Sequence, residues 1–393
     1  MNAKMNNLIM AKLVYDGGDS VIVPSEMGTP REDQLQGTPA ERLSELAGRV
    51  CYDSLGKGRP SFTYDAPTRV DPHTGEVDVE TIQGYHDHIK QVGHGSVWEH
   101  FNFTVAIPAI STAERHLIAW LCCNRPGVLV LPDKDSMRVT LNLRSVIEWM
   151  RFSKEFYANA VGGRDYVGED KWISREFCKL ANQIAPHIVD DSPVIGETVH
   201  AELTEPINDH ERWVSMYLTG SRGLSHELVR HGDFTAISQR STRFVDESES
   251  PWVEHPLETK YTELEFPQSE IEKFQDQDCV QSAKATYRQH VSYLEPWLVS
   301  RNVEKTSARK QARGAARGYL GNALHTELIF SANVAQWKRM LRQRASQFAD
   351  AEIRELFCKV LGELKQSRYA SCFDGWELAP SPDGIGQVAI ENL

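Results

Sequence analysis

Twice in this chain a short strand-like apolar run stops at a turn and passes straight into a helical pattern. In the first, Phe101, Phe103, Val105 and Ile107 alternate with Asn102, Thr104 and Ala106. Pro108 ends the run, and a helix is predicted over 111–123. In the second, a strand over 213–218 meets a Thr219-Gly220 turn and a helix over 221–231. Period-two alternation implies a sheet with a covered face, and the helix that follows is the natural cover. Two such units point to an α/β chain of the α+β kind. A faint echo links them: Glu99-His100, Ser111 and His116 recur as Asp209-His210, Ser221 and His226. Most positions between them differ, so duplication and chance both stay open.

The rest of the chain fits this frame. Thr38 is placed to cap a helix over 39–51, whose Leu43, Leu46, Ala47 and Val50 share one face. A short strand is expected within 13–23, a loop over 54–76 and a helix over 79–91. Residues 140–161 look helical, 162–170 look like a loop, and 245–270 are polar. Two long helices, near 268–300 and 324–366, flank a basic stretch over 301–317.

Composition narrows the function. With 393 residues, 40% of them hydrophobic, the chain can bury a large core in one elaborated domain or several. Its longest apolar runs fall far short of the ~18–20 residues of a membrane helix, and no secretory leader pattern opens it. A cytoplasmic protein without membrane contact is expected. Lys and Arg number 43 against 55 Asp and Glu, a net charge of −12 that disfavours a nucleic-acid binder. Seven cysteines without a C-x-x-C pair give neither a zinc spacing nor a disulfide framework, so no metal is expected.

Against this acidic background, residues 230–243 gather Arg230, His231, Arg240 and Arg243 among several hydroxyls. Arginine beside a hydroxyl and free backbone N–H groups suits a phosphate dianion. If the segment is extended, Ser241 and Arg243 share a side. A solvated basic loop is the alternative. Further on, Asn333 and Arg344 stand eleven residues apart on a helical pattern, about three turns, which would put them on one face. A polar helix face in solvent is the alternative there. A third group, Gly93-His94-Gly95-Ser96-Val97-Trp98-Glu99-His100, is a glycine-punctuated turn into a strand.

These segments together resemble the flavin-dependent thymidylate synthases, the ThyX family. The resembling pieces are Gly48-Arg49-Val50-Cys51-Tyr52-Asp53-Ser54, GHGSVWEHFNFTV (93–105), SRGLSHELVRHGDFTAISQRSTRF (221–244) and TELIFSANVAQWKRMLRQRASQFADAEIR (326–354), in family order. The resemblance implies an antiparallel or mixed sheet core with long flanking helices. It implies synthesis of thymidylate from dUMP, with methylenetetrahydrofolate as carbon donor and FAD with NADPH as reductant. Arg230 and His231 would lie against the flavin. Ser241 and Arg243 would hold the nucleotide phosphate, helped by Gln239 and Arg240. Glu227 and Arg317 would touch the nucleotide, and Asn333 the flavin. His94 and Ser96 would line the flavin and folate entrance, with Gln239 also near the cofactor. Arg344 would face the uracil and stabilise its ionised N3–O2 edge, so that Arg344 and Ser241 carry the catalysis. Family members are homotetramers with sites between subunits; an internal copy would allow a dimer.

The chain departs from the family pattern in three places. Gly232 stands where the third signature arginine belongs, and one extra residue separates Arg230 from Ser241. About ninety residues, 111–204, interrupt the framework. The catalytic domain is therefore expected over 1–110 and 205–378, with 111–204 as an insertion or degenerate partial copy and 379–393 as a tail. Thr140-Leu141-Asn142-Leu143-Arg144-Ser145 resembles the helix start at Asn333, but Ser153 takes the place of Arg344. A related methylase acting on UMP, or an inactive flavin- or nucleotide-binding scaffold, are the competing readings. No cysteine stands in the context of a nucleophile, and a fixed guanidinium beside the ring removes the need for one.

Overall fold

A computed structural model of the chain describes residues 8–27, 37–53, 68–70, 77–79, 82–109, 111–123, 127–149, 170–189, 201–232, 234–263 and 277–392. The first strand, β1 (Met10–Tyr15), begins three residues before the expected span 13–23 and shares only 13–15 with it; Gly17 at φ +86° then turns the chain. Helix α1 (Pro39–Tyr52) forms as predicted. Thr38 Oγ1 accepts from Glu41 N at 3.3 Å and the Glu41 carboxylate accepts from Thr38 N at 3.0 Å, a reciprocal capping box.

After the short pair β2 (Thr68–Val70) and β3 (Val77–Val79) come α2 (Ile82–Val92), β4 (Asn102–Pro108) and α3 (Thr112–Cys123). Strands β5 (Leu129–Pro132) and β6 (Ser136–Asn142) follow, with helical residues 143–149 as α4, then α5 (Asp170–Ile184) and β7 (Glu202–Thr204). The second half runs β8 (Trp213–Ser221), α6 (Arg222–Leu228), β9 (Thr235–Gln239), α7 (Pro256–Glu263), α8 (Gln277–Ser300) and α9 (Lys305–Ala316). It ends with β10 (His325–Asn333), α10 (Val334–Arg344), α11 (Ala351–Leu364) and the hairpin β11 (Trp376–Pro380) and β12 (Gln387–Glu391).

Two four-stranded sheets organise the molecule, in the orders β5-β6-β4-β7 and β1-β8-β10-β9. Every pairing in them is antiparallel. The expected long helix over 324–366 is instead strand β10 followed by α10 and α11, and the helix over 140–161 begins as strand β6. Both strands are buried on both faces, which erases the period-two signal and leaves a run that periodicity cannot tell from a helix. Each strand stops at an asparagine that caps the helix after it. The basic stretch over 301–317 is mostly the helix α9, opened by Glu304. Of the loop expected over 54–76, residues 68–70 form β2 instead, and Asp170 of the loop expected over 162–170 opens α5. The rest of both, the helix beyond 149 and Ser153 lie outside the described residues. The helix expected over 79–91 starts at Ile82, with Val79 in β3.

Sheet β1-β8-β10-β9 is covered on both sides. One face, with Val214, Met216, Leu218, Leu328 and Phe330, packs against α6, α10 and α11. The other presents Tyr217 and Ile329 to a second core shared with α1 and the sheet β5-β6-β4-β7. Trp337 pins α10 to the first face: it is fully buried between Phe330 and Phe357, and its indole N–H donates to Val214 O at 3.1 Å.

Candidate active site

Helix α6 starts at Ser221, whose Oγ accepts from Leu224 N at 3.0 Å, and it buries Leu224 and Leu228 on the sheet. That leaves Glu227 facing α10. Its carboxylate accepts from Arg344 Nη1 at 2.7 Å. Arg344 Nε donates to His231 Nε2 at 2.9 Å, so this nitrogen is unprotonated and the ring's proton sits on Nδ1. Burial lowers the His231 pKa, and the charges of Arg344 and Arg339 lower it further. The imidazole is therefore held neutral beside a guanidinium. Of the five N–H donors of Arg344 about three remain for a ligand. Three residues singled out in two distant sequence pieces thus meet at one point.

Arg230 is exposed beside this group. A Cβ added at Gly232 would meet nothing within 4 Å. Where the signature arginine is missing, the Cβ position is open among the described residues. Gln239 lies on the same face, donating to Ser225 Oγ at 2.8 Å and to Thr326 Oγ1 at 3.0 Å.

Ser241 and Arg243 belong to a different group. Strand β9 ends at Gln239, so the extended geometry expected through 243 gives way to a turn in which Arg243 N points at Ser241 Oγ, 3.4 Å away. Ser241 N donates to Cys51 O at 2.9 Å, which joins the turn to the end of α1. The Tyr52 ring stacks edge-on to Phe244 at 4.9 Å, and its hydroxyl lies 3.2 Å from His94 Nδ1. Burial pushes the Tyr52 pKa up and the His94 pKa down, so both are neutral at pH 7. The glycine-punctuated turn, with His94 and Ser96 half-buried, therefore joins Ser241 and Arg243.

Two cations to which the sequence assigned no role, Lys310 and Arg313, border this turn. Lys310 Nζ lies 4.5 Å over the Phe244 ring, and Arg313 donates to Phe244 O. Arg243 lies along α9, its Cδ 3.6 Å from where a Gly314 Cβ would be. Arg317, at the end of α9, is exposed and close enough to Arg222 to help burial depress that residue's pKa. The spacing of Lys310, Arg313 and Arg317 along one helix was the available signal.

Two expected ligand residues are committed elsewhere. Arg240 is 7% exposed and forms ion pairs with Glu247 at 3.3 Å and with Asp53 and Glu327 at 3.5 Å. Burial works against its charge, and the three carboxylates more than restore it. It braces the loop and does not reach a phosphate within this chain. Asn333 is 1% exposed and is not part of the helix face with Arg344; it is the helix cap. Its Oδ1 accepts from Gln336 N at 2.8 Å and its Nδ2 donates to His210 O at 3.2 Å.

The sequence matches the family described as thymidylate synthase complementing protein over residues 35–119 and 210–367, more than half of the chain and all of the groups above. The chain belongs to that family. Among its relatives, proteins named flavin-dependent thymidylate synthase from Mycobacterium sp. (strain KMS) and Mycolicibacterium vanbaalenii are 37% and 35% identical over 184 and 181 residues. Each alignment covers 46% of this chain and 68% of the relative. The one from Mycobacterium tuberculosis (strain ATCC 25177 / H37Ra) is 35% identical over 178 residues, 43% of this chain and 67% of the relative. The match to the family skips residues 120–209, which carry β5, β6, α4, α5 and β7. Among the described residues no helix is long and apolar enough to cross a membrane.

Proposed function

We propose that the chain is a flavin-dependent thymidylate synthase of the cytoplasm, methylating C5 of dUMP with methylenetetrahydrofolate as carbon donor and NADPH as reductant. The observation that carries this reading is the Arg344 guanidinium, fixed by Glu227 and a neutral His231, with N–H donors to spare. A uracil set against it meets a planar donor fork already in place. The anionic N3–O2 edge gains most from those donors as charge builds in the ring, which makes C5 nucleophilic without a covalent bond to the enzyme. Cys51, whose carbonyl the loop touches, does not compete for the role: it is buried and its thiol is pushed up to about 12, too high to supply a thiolate.

Exposed Arg230, His231 and the open space beside Gly232 suit a flavin with its anionic diphosphate. When bound, the flavin supplies the redox chemistry. Ser241 and Arg243, in the field of Lys310, Arg313 and Arg317, suit the nucleotide phosphate.

Strand β9 separates these two sets. Ser238 turns to one face, where it meets His100, and Gln239 to the other, where it meets Ser225 of α6. Arg344 and Glu227 lie on the α6 side, whereas Ser241 is tied to α1 on the opposite side. One nucleotide touching both sets is best accommodated between two copies of the chain, so a homo-oligomer is part of the proposal. Exposed Tyr293 and Trp297 on α8 offer apolar surface for such a contact. The assay is thymidylate formation from dUMP, with UMP as control. Arg344→Ala is expected to lower turnover by roughly 100- to 1,000-fold, as for loss of one preorganised oxyanion donor. Turnover that survives this change removes the uracil role of Arg344.

A further inference from the structure

Three strands of each sheet correspond in chain order, and β7 and β1 take the same edge although β7 follows its sheet in the chain and β1 precedes its own. Exchanging β4 for β8, β6 for β10, β5 for β9 and β7 for β1 converts one order into the other. In each, the first central strand leads to a helix, then to the edge strand, then to the second central strand. The registers agree as well. Asn102 faces Asn142 where Trp213 faces Asn333, and Thr104 faces Thr140 where Ser215 faces Ser331. At that second rung both sheets carry a buried cross-strand hydroxyl pair, at 2.8 Å between the threonines and 2.6 Å between the serines. Both second strands end on an asparagine whose Oδ1 accepts, at 2.8 Å, from the backbone N–H three residues on.

The contacts between the two units are reciprocal. His100 and Glu211 hold the same place, two residues ahead of β4 and β8. His100, 1% exposed, leaves the first unit and bonds to Ser331 and Ser238 of the second sheet at 2.8 and 2.9 Å. Glu211, 4% exposed, leaves the second unit and accepts from Arg138 of the first sheet at 2.7 and 2.9 Å. Ser331 and Thr140 are equivalent, and Arg138 stands two residues before Thr140 on the same face. Each unit thus places the same position on the same face of the other, which is how a two-fold interface between identical subunits is built.

We infer that residues 100–149 and 211–344 contain two copies of one folding unit, fused in one chain and packed about a pseudo-two-fold axis. The first copy fills, within the chain, the seat that a second subunit would take on the His100 face of the catalytic sheet. Its edge strand lacks the polar groups of its counterpart: β5 reads Leu129-Val130-Leu131-Pro132 where the second copy has Ala236-Ile237-Ser238-Gln239. The catalytic copy must therefore find its other half-site on another chain. This step rests on the shared-site reading above, and two chains then provide four units and close the assembly.

Native mass measurement of the purified enzyme, with thymidylate formation followed on the same sample, tests the inference. The expected result is an active particle of two chains of 44.5 kDa each. His100→Gln is expected to keep that mass while lowering the melting temperature by an amount independent of protein concentration, because the contact lies within one chain. An active particle of four chains, or a His100→Gln enzyme that falls to a smaller particle, overturns the filled seat. An active single chain instead overturns the shared site and, with it, the two-chain particle, while leaving the pseudo-two-fold packing intact.

Discussion

Arg344 shows how one residue's chemistry depends on its neighbours' protonation. Its Nε donates to a His231 nitrogen that must carry a lone pair, and burial with two nearby guanidinium groups keeps it so. A protonated imidazole would turn that acceptor into a like charge. Gly232 is the opposite case, a residue whose effect is space. Because a Cβ there meets nothing within 4 Å among the described residues, Gly232→Arg is expected to leave the melting temperature within about 1 °C, as surface changes clear of packing do. It should retain flavin through gel filtration at least as well as the parent. Weaker flavin retention in that variant would remove the space beside Gly232 from the flavin site. The sequence made Arg230, His231 and Gly232 conspicuous, since three arginines in fourteen residues stand out in an acidic chain. It hid the burial of Arg240 and Asn333, because an arginine against three carboxylates and an arginine open to solvent read alike until the carboxylates at 53, 247 and 327 are brought together.

At the scale of elements, the site depends on where α6 begins. Ser221 Oγ caps the helix and donates to Glu352 Oε2 at 2.7 Å, and Ser221 N donates to Glu352 Oε1 at 2.7 Å. Glu352 is 6% exposed in the first turn of α11. Burial raises its pKa while the Ser221 bonds hold it down. Glu352→Ala leaves a buried N–H and hydroxyl without their acceptor, so a loss of about 1–3 kcal/mol is expected in chemical denaturation. The start of α6 loosens with it, and Glu227 is carried along. Unchanged stability would show that water replaces the carboxylate. This link between positions 131 residues apart has no local sequence signature. Helix α1, by contrast, was legible to within one residue, because Thr38, Pro39 and Glu41 are local signals. Strands β6 and β10 were misread for the reason that places them centrally: both faces are buried, so alternation vanishes.

Across the whole molecule, two buried histidines make the fold sensitive to acid. Burial depresses His86 and His100 to about 3, whereas the unfolded chain binds those protons near the ordinary value of about 6.5. Between these limits the unfolded state holds more protons, so stability falls as pH drops from about 6.5 towards 3 and is independent of these groups above that window. Urea midpoints measured from pH 7.5 to 4.5 are expected to decline, and less steeply in His86→Phe, whose ring can keep the edge-on contact with Tyr85. Equal slopes in the two proteins would assign the acid sensitivity to other groups.

A site divided between chains, as proposed, carries a separate consequence. Arg344 and Arg243 stand in groups that β9 separates, so each nucleotide would take Arg344 from one chain and Arg243 from the other. Arg344→Ala and Arg243→Ala are each inactive by this reading, because every site in either homo-oligomer lacks one group. Co-expressed with different tags and purified through both, they form a mixed particle in which one site carries both lesions and the other neither. For a closed two-chain particle, that sets its activity at about half that of the parent. A site complete within one chain predicts instead that the mixed particle is as inactive as its parts, since no chain in it would hold both arginines. Recovery of activity on mixing therefore tests the shared site directly, whatever the contribution of the first copy to holding the assembly together.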